Sequence, residues 1–323
     1  MIRIAFVAIT TAAFFSAVNT AAADTIFVSN EKDNTVTVID GKTLKLVKTI
    51  PTSRRPRGII ASPDGKEVYV AAGDGDVMDV IDVEKLEIVR HLDSGPDPEL
   101  MAVDPKGGTL YIANEDDSMV TIMEVSSGEA LAEIPVGLEP EGMGVSPDSK
   151  YIVATSESTS MAHVIDGESK KVVANVLVDT RPREAKFTPD GKQVWVSSEV
   201  GGTISVIDSS TWHVVKKIGF EIAGVRRELI QPVGMEFTKD GKYLFAALGF
   251  ANRVAVIDPK TYEVLQYILV GQRPWHLALS ADQSELYVAN GLTNDMTVID
   301  VAALKAEKSV PVGRLPWGVA VTP

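Results

Sequence analysis

The residues that could do chemistry in this sequence lie beside a recurring proline. The residues that follow each copy are, in order, Arg57, Glu99, Glu141, Arg183, Val233, Trp275 and Trp317. Those before it add Arg55, Asp97, Glu139, Arg181 and Arg273, and the second residues after it add Glu184 and His276. Tryptophans with arginine on one side and carboxylates on the other predict binding of an oriented polar or aromatic ligand, or of a protein. The candidate binding residues are Arg57, Glu99, Glu141, Arg183, Arg273, Trp275, His276 and Trp317.

A structural interpretation of the same residues competes with the binding one. Arginines and carboxylates that recur at one repeat interval can form ion pairs with each other, and the tryptophans can pack as part of the fold. In that case Arg57 and Arg183 neutralise the carboxylates of the set, namely Glu99, Glu141 and Glu184.

No catalytic motif accompanies these residues. The sequence has no cysteine, which excludes thiolate chemistry, and it has no C-x-x-C-H haem site, G-x-S-x-G elbow or phosphate-binding glycine loop. Its histidines, His91, His163, His213 and His276, fall in different repeats. A lone histidine is more often a packing residue than a base. We therefore expect no catalytic residue, no bound metal and no cofactor.

Short acidic segments form a second set of candidates, at 31–34, 73–76, 115–118, 157–159 and 293–295. Their carboxylates could coordinate a hard cation such as calcium, which takes oxygen ligands. However, no segment has the spacing D-x-[DN]-x-[DN]-G followed by a distal Glu. Solvated acidic turns are the simpler interpretation.

The chain is built from a repeat. A Val-Ile-Asp type run ends at residues 40, 82, 124, 166, 208, 258 and 300, and the proline lies at 56, 98, 140, 182, 232, 274 and 316. Both markers give intervals of 42 with one interval of 50. Each unit contains four runs rich in Val, Ile and Tyr, separated by turn residues. A period of about 40 to 50 residues with four strands is typical of β-propeller blades.

The two ends predict a closed ring of seven blades. Residues 25–30 match the second strand of the unit, so the first blade lacks its innermost strand. Residues 316–323 match an innermost strand and would complete that sheet, which removes an open edge. We expect an all-β, seven-bladed β-propeller with four antiparallel strands per blade, as a single domain over residues 24–323.

The prolines then lie at the mouth of the central channel, on the loops that enter the innermost strands. The long interval adds eight residues within 219–231, before one innermost strand. We expect this insertion to overhang the mouth, as a lid, as a partner contact, or as a neutral extension.

The N-terminus predicts export. Arg3, an apolar run over 4–18 and the sequence Ala21-Ala22-Ala23 are typical of a signal peptide over residues 1–23, cleaved after Ala23. Without Arg3, 30 basic residues face 44 acidic ones, a net charge near −14. Such a surface repels phosphate backbones, so we expect no nucleic-acid binding. We also expect no membrane insertion after cleavage and a monomer.

The repeats resemble a known family. The runs YVAN at 287–290, YIAN at 111–114 and the recurrent Val-Ile-Asp are similar to YVTN-type β-propeller repeats. Segments 28–40, 95–100, 111–117 and 312–321 resemble the β-propeller proteins associated with PQQ-dependent alcohol catabolism. This resemblance implies a periplasmic location, near a quinoprotein dehydrogenase and an ABC-type transport system.

Three functions follow from these observations. The first is a non-catalytic periplasmic binding or assembly factor, whose partner is a quinoprotein dehydrogenase or an ABC transport component. The second is a metal-dependent, lactonase-like hydrolase with its site at the channel mouth, against which the arginines argue because they compete with a cation. The third, a quinone-cofactor enzyme, lacks the eight larger blades and tryptophan docking motifs of that class.

Overall fold

The computed structural model describes residues 24–323, and the predicted signal peptide lies outside these described residues. They form seven four-stranded antiparallel sheets arranged as the blades of a propeller. The prediction of an all-β, seven-bladed ring is confirmed. Within residues 24–323 no helix has the length and hydropathy that a membrane span requires.

Each of the seven blades has four strands, and the blades are numbered 1 to 7 from the N-terminus. For each strand position, the seven strands are listed in the order of their blades. The innermost strands are β28 (Pro316–Thr322), β4 (Pro56–Ala61), β8 (Pro98–Val103), β12 (Pro140–Val145), β16 (Pro182–Phe187), β20 (Pro232–Phe237) and β24 (Pro274–Leu279). The second strands are β1 (Thr25–Asn30), β5 (Glu67–Ala72), β9 (Thr109–Asn114), β13 (Tyr151–Ser156), β17 (Gln193–Ser198), β21 (Leu244–Leu248) and β25 (Glu285–Asn290). The third strands are β2 (Thr35–Asp40), β6 (Val77–Asp82), β10 (Met119–Glu124), β14 (Met161–Asp166), β18 (Thr203–Asp208), β22 (Arg253–Asp258) and β26 (Asp295–Asp300). The outer strands are β3 (Lys45–Pro51), β7 (Glu87–Leu92), β11 (Ala130–Pro135), β15 (Lys171–Leu177), β19 (His213–Gly219), β23 (Glu263–Leu269) and β27 (Lys305–Pro311).

The Val-Ile-Asp run is the end of the third strand. Its apolar residues are buried on both faces because each sheet packs between two neighbours, and its acid caps the turn into the outer strand. Asp40, for example, accepts hydrogen bonds from the backbone N–H and the hydroxyl of Thr43, both at 2.7 Å. The recurring acid is therefore a turn-forming residue and takes no part in a site.

The ring closes through its two ends. β28 pairs antiparallel with β1, from Thr25 opposite Thr322 to Asn30 opposite Pro316. The C-terminal strand is thus the innermost strand of the blade that the N-terminal strand begins, as predicted. The pairing joins the two ends of the chain within blade 1, since the paired residues are almost 300 positions apart in the sequence.

The hydrophobic core lies between blades. One cluster joins Phe27, Val36 and Val38 of blade 1 to Val68 and Val70 of blade 2. At the channel the blades approach so closely that glycine is required: a Cβ on Gly142 would clash with the carbonyl oxygen of Arg183 in the next blade. This tight inner packing positions the loops that carry the candidate site.

Candidate binding site at the channel mouth

A β-bulge follows the proline of the innermost strands and directs the candidate side chains. In blade 2, Pro56 pairs with Ala72 and pairing resumes only at Ile59 and Val70, which leaves two residues out of the ladder. A second-strand hydroxyl satisfies the bulge backbone: Thr155 Oγ1 accepts the N–H of Gly142 at 2.8 Å. Bulges re-aim side chains in this way, and the residue after each proline therefore points to the axis of the ring.

The residue before the proline is held in a left-handed conformation. Arg55 and Arg273 have φ angles of 59° and 56°. Asn34 and Asn252, in the loops between second and third strands of the preceding blades, accept their backbone N–H groups at 2.9 and 3.0 Å. The conformation costs free energy in a residue that is not glycine. The hydrogen bonds to the asparagine side chains offset that cost, and they fix the backbone position from which each arginine side chain extends.

On one side of the mouth two arginines bind the same carboxylate. Arg55 donates to Glu99 and, at 2.5 Å, to Asp97. Arg57 donates to Glu99 at 2.9 Å and reaches Glu31 at 3.2 Å. The Glu99 side chain has no solvent exposure. Charge-assisted pairs of this kind are strong when buried and fully bonded, so Glu99 is neutralised as the structural interpretation predicts.

The other side repeats the arrangement. Arg183 donates to Glu141 at 2.7 Å and also to Glu157. Arg273 donates to Glu199 at 2.5 Å, and Arg181 bridges the two loop carboxylates. We call the whole set the ion-pair layer: Glu31, Arg55, Arg57, Asp97, Glu99, Glu115, Glu141, Glu157, Arg181, Arg183, Glu199 and Arg273.

Burial alters the acidity of several carboxyls in this layer. It raises the pKa of Glu141 well above its usual value, although Arg183 opposes the shift. Burial and the neighbouring Glu99 raise the pKa of Glu115 to about 7. For Glu199, burial acts in the same direction but Arg183 and Arg273 outweigh it, and the pKa lies below its usual value. The arginines therefore stabilise the charged form of Glu199, whereas burial favours the protonated form of Glu115 and Glu141.

Aromatic rings complete the layer. The guanidinium of Arg273 lies 3.8 Å from the ring centre of Trp275. Trp275 stacks with Trp317 at 6.1 Å, and His276 lies 4.2 Å from Trp317. Trp317 is only 1 % exposed, and burial lowers the pKa of His276 well below its usual value, so the imidazole is neutral. The mouth is thus filled by side chains that contact each other.

The structure brings most of the predicted residues together. Arg57, Glu99, Glu141, Arg183, Arg273, Trp275, His276 and Trp317 all lie around the axis. Two details were wrong. Glu184 has no arginine partner but lies 3.9 Å from Lys186 and accepts the N–H of Met235. Trp317 is buried inside the fold, so it cannot present its ring at the surface. The role of the set as direct ligand contacts stays a prediction.

Four members of the layer are the first residues of the loops between second and third strands: Glu31, Glu115, Glu157 and Glu199. Sequence reasoning missed Glu199, and it named the segments of the other three without relating them to the arginines. We treated those loops as solvated acidic turns. A glutamate directly after the second strand in four of seven repeats was the signal that could have found them. Instead of facing water, these carboxylates turn inward to the arginines.

The outward surface of the mouth has an apolar part and an acidic part. The loops between second and third strands carry an exposed apolar residue in three consecutive blades: Val200, Phe250 and Leu292 are 60 %, 45 % and 51 % exposed. We call these residues the apolar tips. In blades 2 and 3 the same loops expose acids, namely Asp74, Asp76, Asp116 and Asp117, the acidic arc. Leu138 is a further exposed apolar residue, beside the acidic arc.

Arg273 connects the three loops that carry the apolar tips. Its side chain donates to Glu199, beside Val200, and lies 4.7 Å from the ring centre of Phe250. Its carbonyl oxygen accepts the N–H of Gly291, beside Leu292, at 2.9 Å. The side chain of Arg273 therefore contacts the loops of Val200 and Phe250, and its backbone carbonyl holds the loop of Leu292, which makes the three exposed tips a preorganised surface.

The insertion is placed differently from what we expected. The N–H of Glu221 donates to the hydroxyl of Tyr267 in the outer strand β23, at 3.1 Å, and Phe220 and Ile230 are buried between blades 5 and 6. A 3-10 turn, Arg227–Leu229, contacts the loop of Phe250. The segment covers the top of blade 6 and not the channel, so the expected lid is not formed, while its place beside Phe250 suits a partner contact.

Comparison with family models identifies the family. The model described as "Lactonase, 7-bladed beta-propeller" matches residues 143–307, which is 165 of the 323 residues. The chain belongs to this family. A second model, "YNCE-like beta-propeller", matches residues 4–115 of this lactonase-family propeller. No protein of curated function matches the sequence. The narrower resemblance to proteins of PQQ-dependent catabolism stays a prediction.

Solved structures similar to this lactonase-family propeller share its fold at low identity. Hydrazine synthase of Kuenenia stuttgartiensis has a TM-score of 0.79 and 22% identity, over 86% of this chain and 92% of that one. A functionally unknown protein of Desulfotomaculum acetoxidans has 0.80 and 14%, over 92% and 98%. Dihydro-heme d1 dehydrogenase NirN, in complex with DHE, has 0.68 and 18%, over 94% and 76%.

A metal-dependent member of a lactonase family needs carboxylates free to hold a cation. In this lactonase-family propeller Asp97, Glu99 and Glu115 place oxygens within 4.8 Å of one another. Arg55 already occupies that position: it donates to Asp97 and Glu99 and lies 3.9 Å from Glu115. A guanidinium repels a cation at this distance, so these three residues as arranged do not fit a divalent metal.

Proposed function

We propose that the protein is a non-catalytic binding or assembly factor that recognises a partner protein through its mouth face. The observation that carries this proposal is the surface of three apolar tips fixed by Arg273. Exposed apolar residues that a scaffold holds in one place are typical of protein-binding surfaces. Rigid blades with variable loops are a common way to present such a surface.

The chemistry of the mouth supports recognition over catalysis. Each arginine of the ion-pair layer is engaged by a carboxylate, and the carboxylates are engaged in turn. A general base or nucleophile has to reach a substrate, and Glu99, Glu141 and Arg183 are almost completely buried. The layer therefore supports the loops above it instead of exposing reactive groups.

The charge of the face indicates the partner. The acidic arc, on blades 2 and 3, lies across the mouth from the apolar tips on blades 5 to 7, and the chain carries 44 acidic against 31 basic residues. Complementary potentials accelerate association and select partners. The expected partner surface has an apolar patch on one side and basic residues on the other. A nucleic acid carries the wrong charge for such a surface.

The finer assignment follows the sequence resemblance. Segments 28–40, 95–100, 111–117 and 312–321 support a periplasmic protein that serves PQQ-dependent alcohol oxidation. In this proposal the partner is a quinoprotein alcohol dehydrogenase or a component of an ABC-type transport system, and the protein itself is a monomer that needs no cofactor.

Affinity purification from the periplasm of alcohol-grown cells tests the proposal. Tagged protein should enrich a quinoprotein dehydrogenase or transport component, and Phe250→Asp should reduce the enrichment at least about tenfold, as for a central interface residue. Leu265→Asp is the matched control, because Leu265 is similarly exposed but lies on the outer strand β23. Failure to enrich either class, or equal loss in both variants, would reject the proposal.

A lactonase-like hydrolase is the second candidate, which the family match over residues 143–307 favours. The decisive assay measures hydrolysis of γ- and δ-lactones by purified protein, with and without added calcium, manganese or zinc. Turnover that depends on a metal and is lost in Glu99→Gln would support the hydrolase. Absence of turnover under all these conditions would exclude the hydrolase and favour the non-catalytic binding factor.

A further inference from the structure

The central channel has its opening on the face opposite the mouth. A cavity of about 530 Å³ runs along the innermost strands and reaches the exposed turns between first and second strands, at Pro63, Gly65, Ala281 and Gln283. At its inner end it meets His276 and Trp317, below the ion-pair layer. Because Glu99, Glu141 and Arg183 of that layer are buried, the cavity is a pocket that is closed at the mouth.

The sequence of the innermost strands explains why there is room. Alternate residues of a strand face the same side, and the fourth residue after the proline lies on the channel wall. In four blades this residue is small: Ala102, Gly144, Ala278 and Ala320. Together with Ile60 they leave a tube into which the side chains of Lys186 and Glu236 extend, and Glu184 and Lys239 are further charged residues of its lining.

The charged side chains form one polar cluster on the walls of blades 5 and 6. Lys186 Nζ lies 2.7 Å from Glu236 and 3.9 Å from Glu184. Its side chain is 34 % exposed, and that of Glu236 is 26 % exposed, although both face the channel. An ammonium has three N–H donors, so Lys186 keeps donors for a further partner beside two carboxylate acceptors.

We propose that this channel binds a small neutral molecule with an apolar body and a hydroxyl head that contacts Lys186 and Glu236. A hydroxyl both donates and accepts, which matches an ammonium and a carboxylate side by side. A charged head group would pair with one member of the cluster and be repelled by the other. The volume falls within the range of small-molecule sites, about 300–1,000 Å³, and the lining offers both apolar residues for the body and polar groups for the head of the ligand.

This pocket is separate from the mouth face. The ion-pair layer lies between the two, so a ligand enters from the turn face while a protein can occupy the mouth. The inference therefore does not rest on the proposed function, and either can fail alone.

Isothermal titration with three isosteric probes tests the proposal: heptan-1-ol, heptylammonium and heptanoate. We expect saturable binding of the alcohol, at least fivefold tighter than either charged probe. Lys186→Met should weaken alcohol binding at least tenfold. Ala278→Phe, which fills the tube, should abolish it, and Ala302→Phe on an exposed turn is the matched control.

Circular dichroism of each variant separates loss of binding from loss of folding. If Ala278→Phe does not fold, Ala320→Phe replaces it, because Ala320 lies on a different blade of the same tube. The proposal is overturned if heptan-1-ol shows no saturable binding, if heptanoate or heptylammonium binds more tightly, or if a folded channel-filling variant binds the alcohol as well as the control.

Discussion

Arg273 donates a hydrogen bond to Glu199 across 74 positions of sequence, and it does so from blade 7 to a loop of blade 5. Both side chains are buried, and the same guanidinium lies against Trp275 and Phe250. Blades 5 and 7, which are not neighbours, are thereby joined across blade 6, as they also are by the guanidinium of Arg183, 5.5 Å from the ring centre of Trp275. The exposed tips above this contact owe their positions to it.

Replacement of Arg273 by methionine should destabilise the fold and loosen the tips. Methionine retains much of the packing but leaves Glu199 with fewer partners, and loss of one member of a buried ion pair costs about 3 kcal/mol. Chemical denaturation should show a lower midpoint with an unchanged slope. Lys217→Met removes the exposed pair with Asp179 and serves as control, with a change below about 1 kcal/mol. Equal effects of the two variants would contradict this role of Arg273.

Replacement of Trp317 by alanine should act on stability. The sequence alone suggested a surface ring whose loss spares the fold, but Trp317 is buried against His276 and Trp275. Truncation of a buried tryptophan costs about 3–5 kcal/mol. Thermal and urea unfolding would measure the loss, and Phe250→Ala, at an exposed tip, should leave both midpoints almost unchanged. A Trp317→Ala protein of full stability would show that the ring is not buried.

Deletion of residues 316–323 should open the ring. The deletion removes β28, leaves β1 with an unpaired edge and exposes the apolar face of the first blade. We expect a large decrease in melting temperature and concentration-dependent aggregation, measured by calorimetry and light scattering. Removal of Pro323 alone is the control, because it follows the last strand. An unchanged melting temperature in the longer deletion would exclude closure by this strand.

The variant Glu115→Gln should change how stability depends on pH. The pKa of Glu115 is about 7 in the folded protein, raised by burial and by Glu99, and close to 4.3 in an unfolded chain. Because the folded state holds its proton longer, wild-type stability should fall as pH rises from about 4.5 to about 7. Glutamine lacks this titration, so the stability gain of the variant should grow over that window and level off above it. The pKa difference corresponds to about 3.7 kcal/mol, and solvent screening of the partly exposed carboxyl reduces the expected gain to roughly 2 kcal/mol. A gain that is constant with pH would contradict the assignment.

The fold was predictable because its signals are periodic. The Val-Ile-Asp runs, the prolines and the matching ends set the blade number, the strand order and the closure through β28, since each signal is local and repeats seven times. Each candidate residue was likewise placed at the axis from its offset to a proline, and the bulge after Pro56 shows why that offset matters.

The partners of these residues were not predictable in the same way. Arg273 and Glu199 belong to different blades, and their contact depends on the ring radius and on the bulge that aims the chain. The room inside the channel depends on small residues at the same position of four blades, such as Gly144 and Ala278. No single repeat shows that these residues together line one cavity. The sequence shows which residues at the mouth are charged. Which of them pair with each other, and how deeply they are buried, depends on the assembled ring.

Hydrogen–deuterium exchange of the protein with and without a purified periplasmic quinoprotein alcohol dehydrogenase tests the recognition of a partner by the mouth face most directly. We predict slower exchange on binding in the loops 199–202, 249–252 and 291–294, which carry Val200, Phe250 and Leu292. Protection of the opposite turns at 62–66 and 281–284 instead, or no protection at any dehydrogenase concentration, would contradict it.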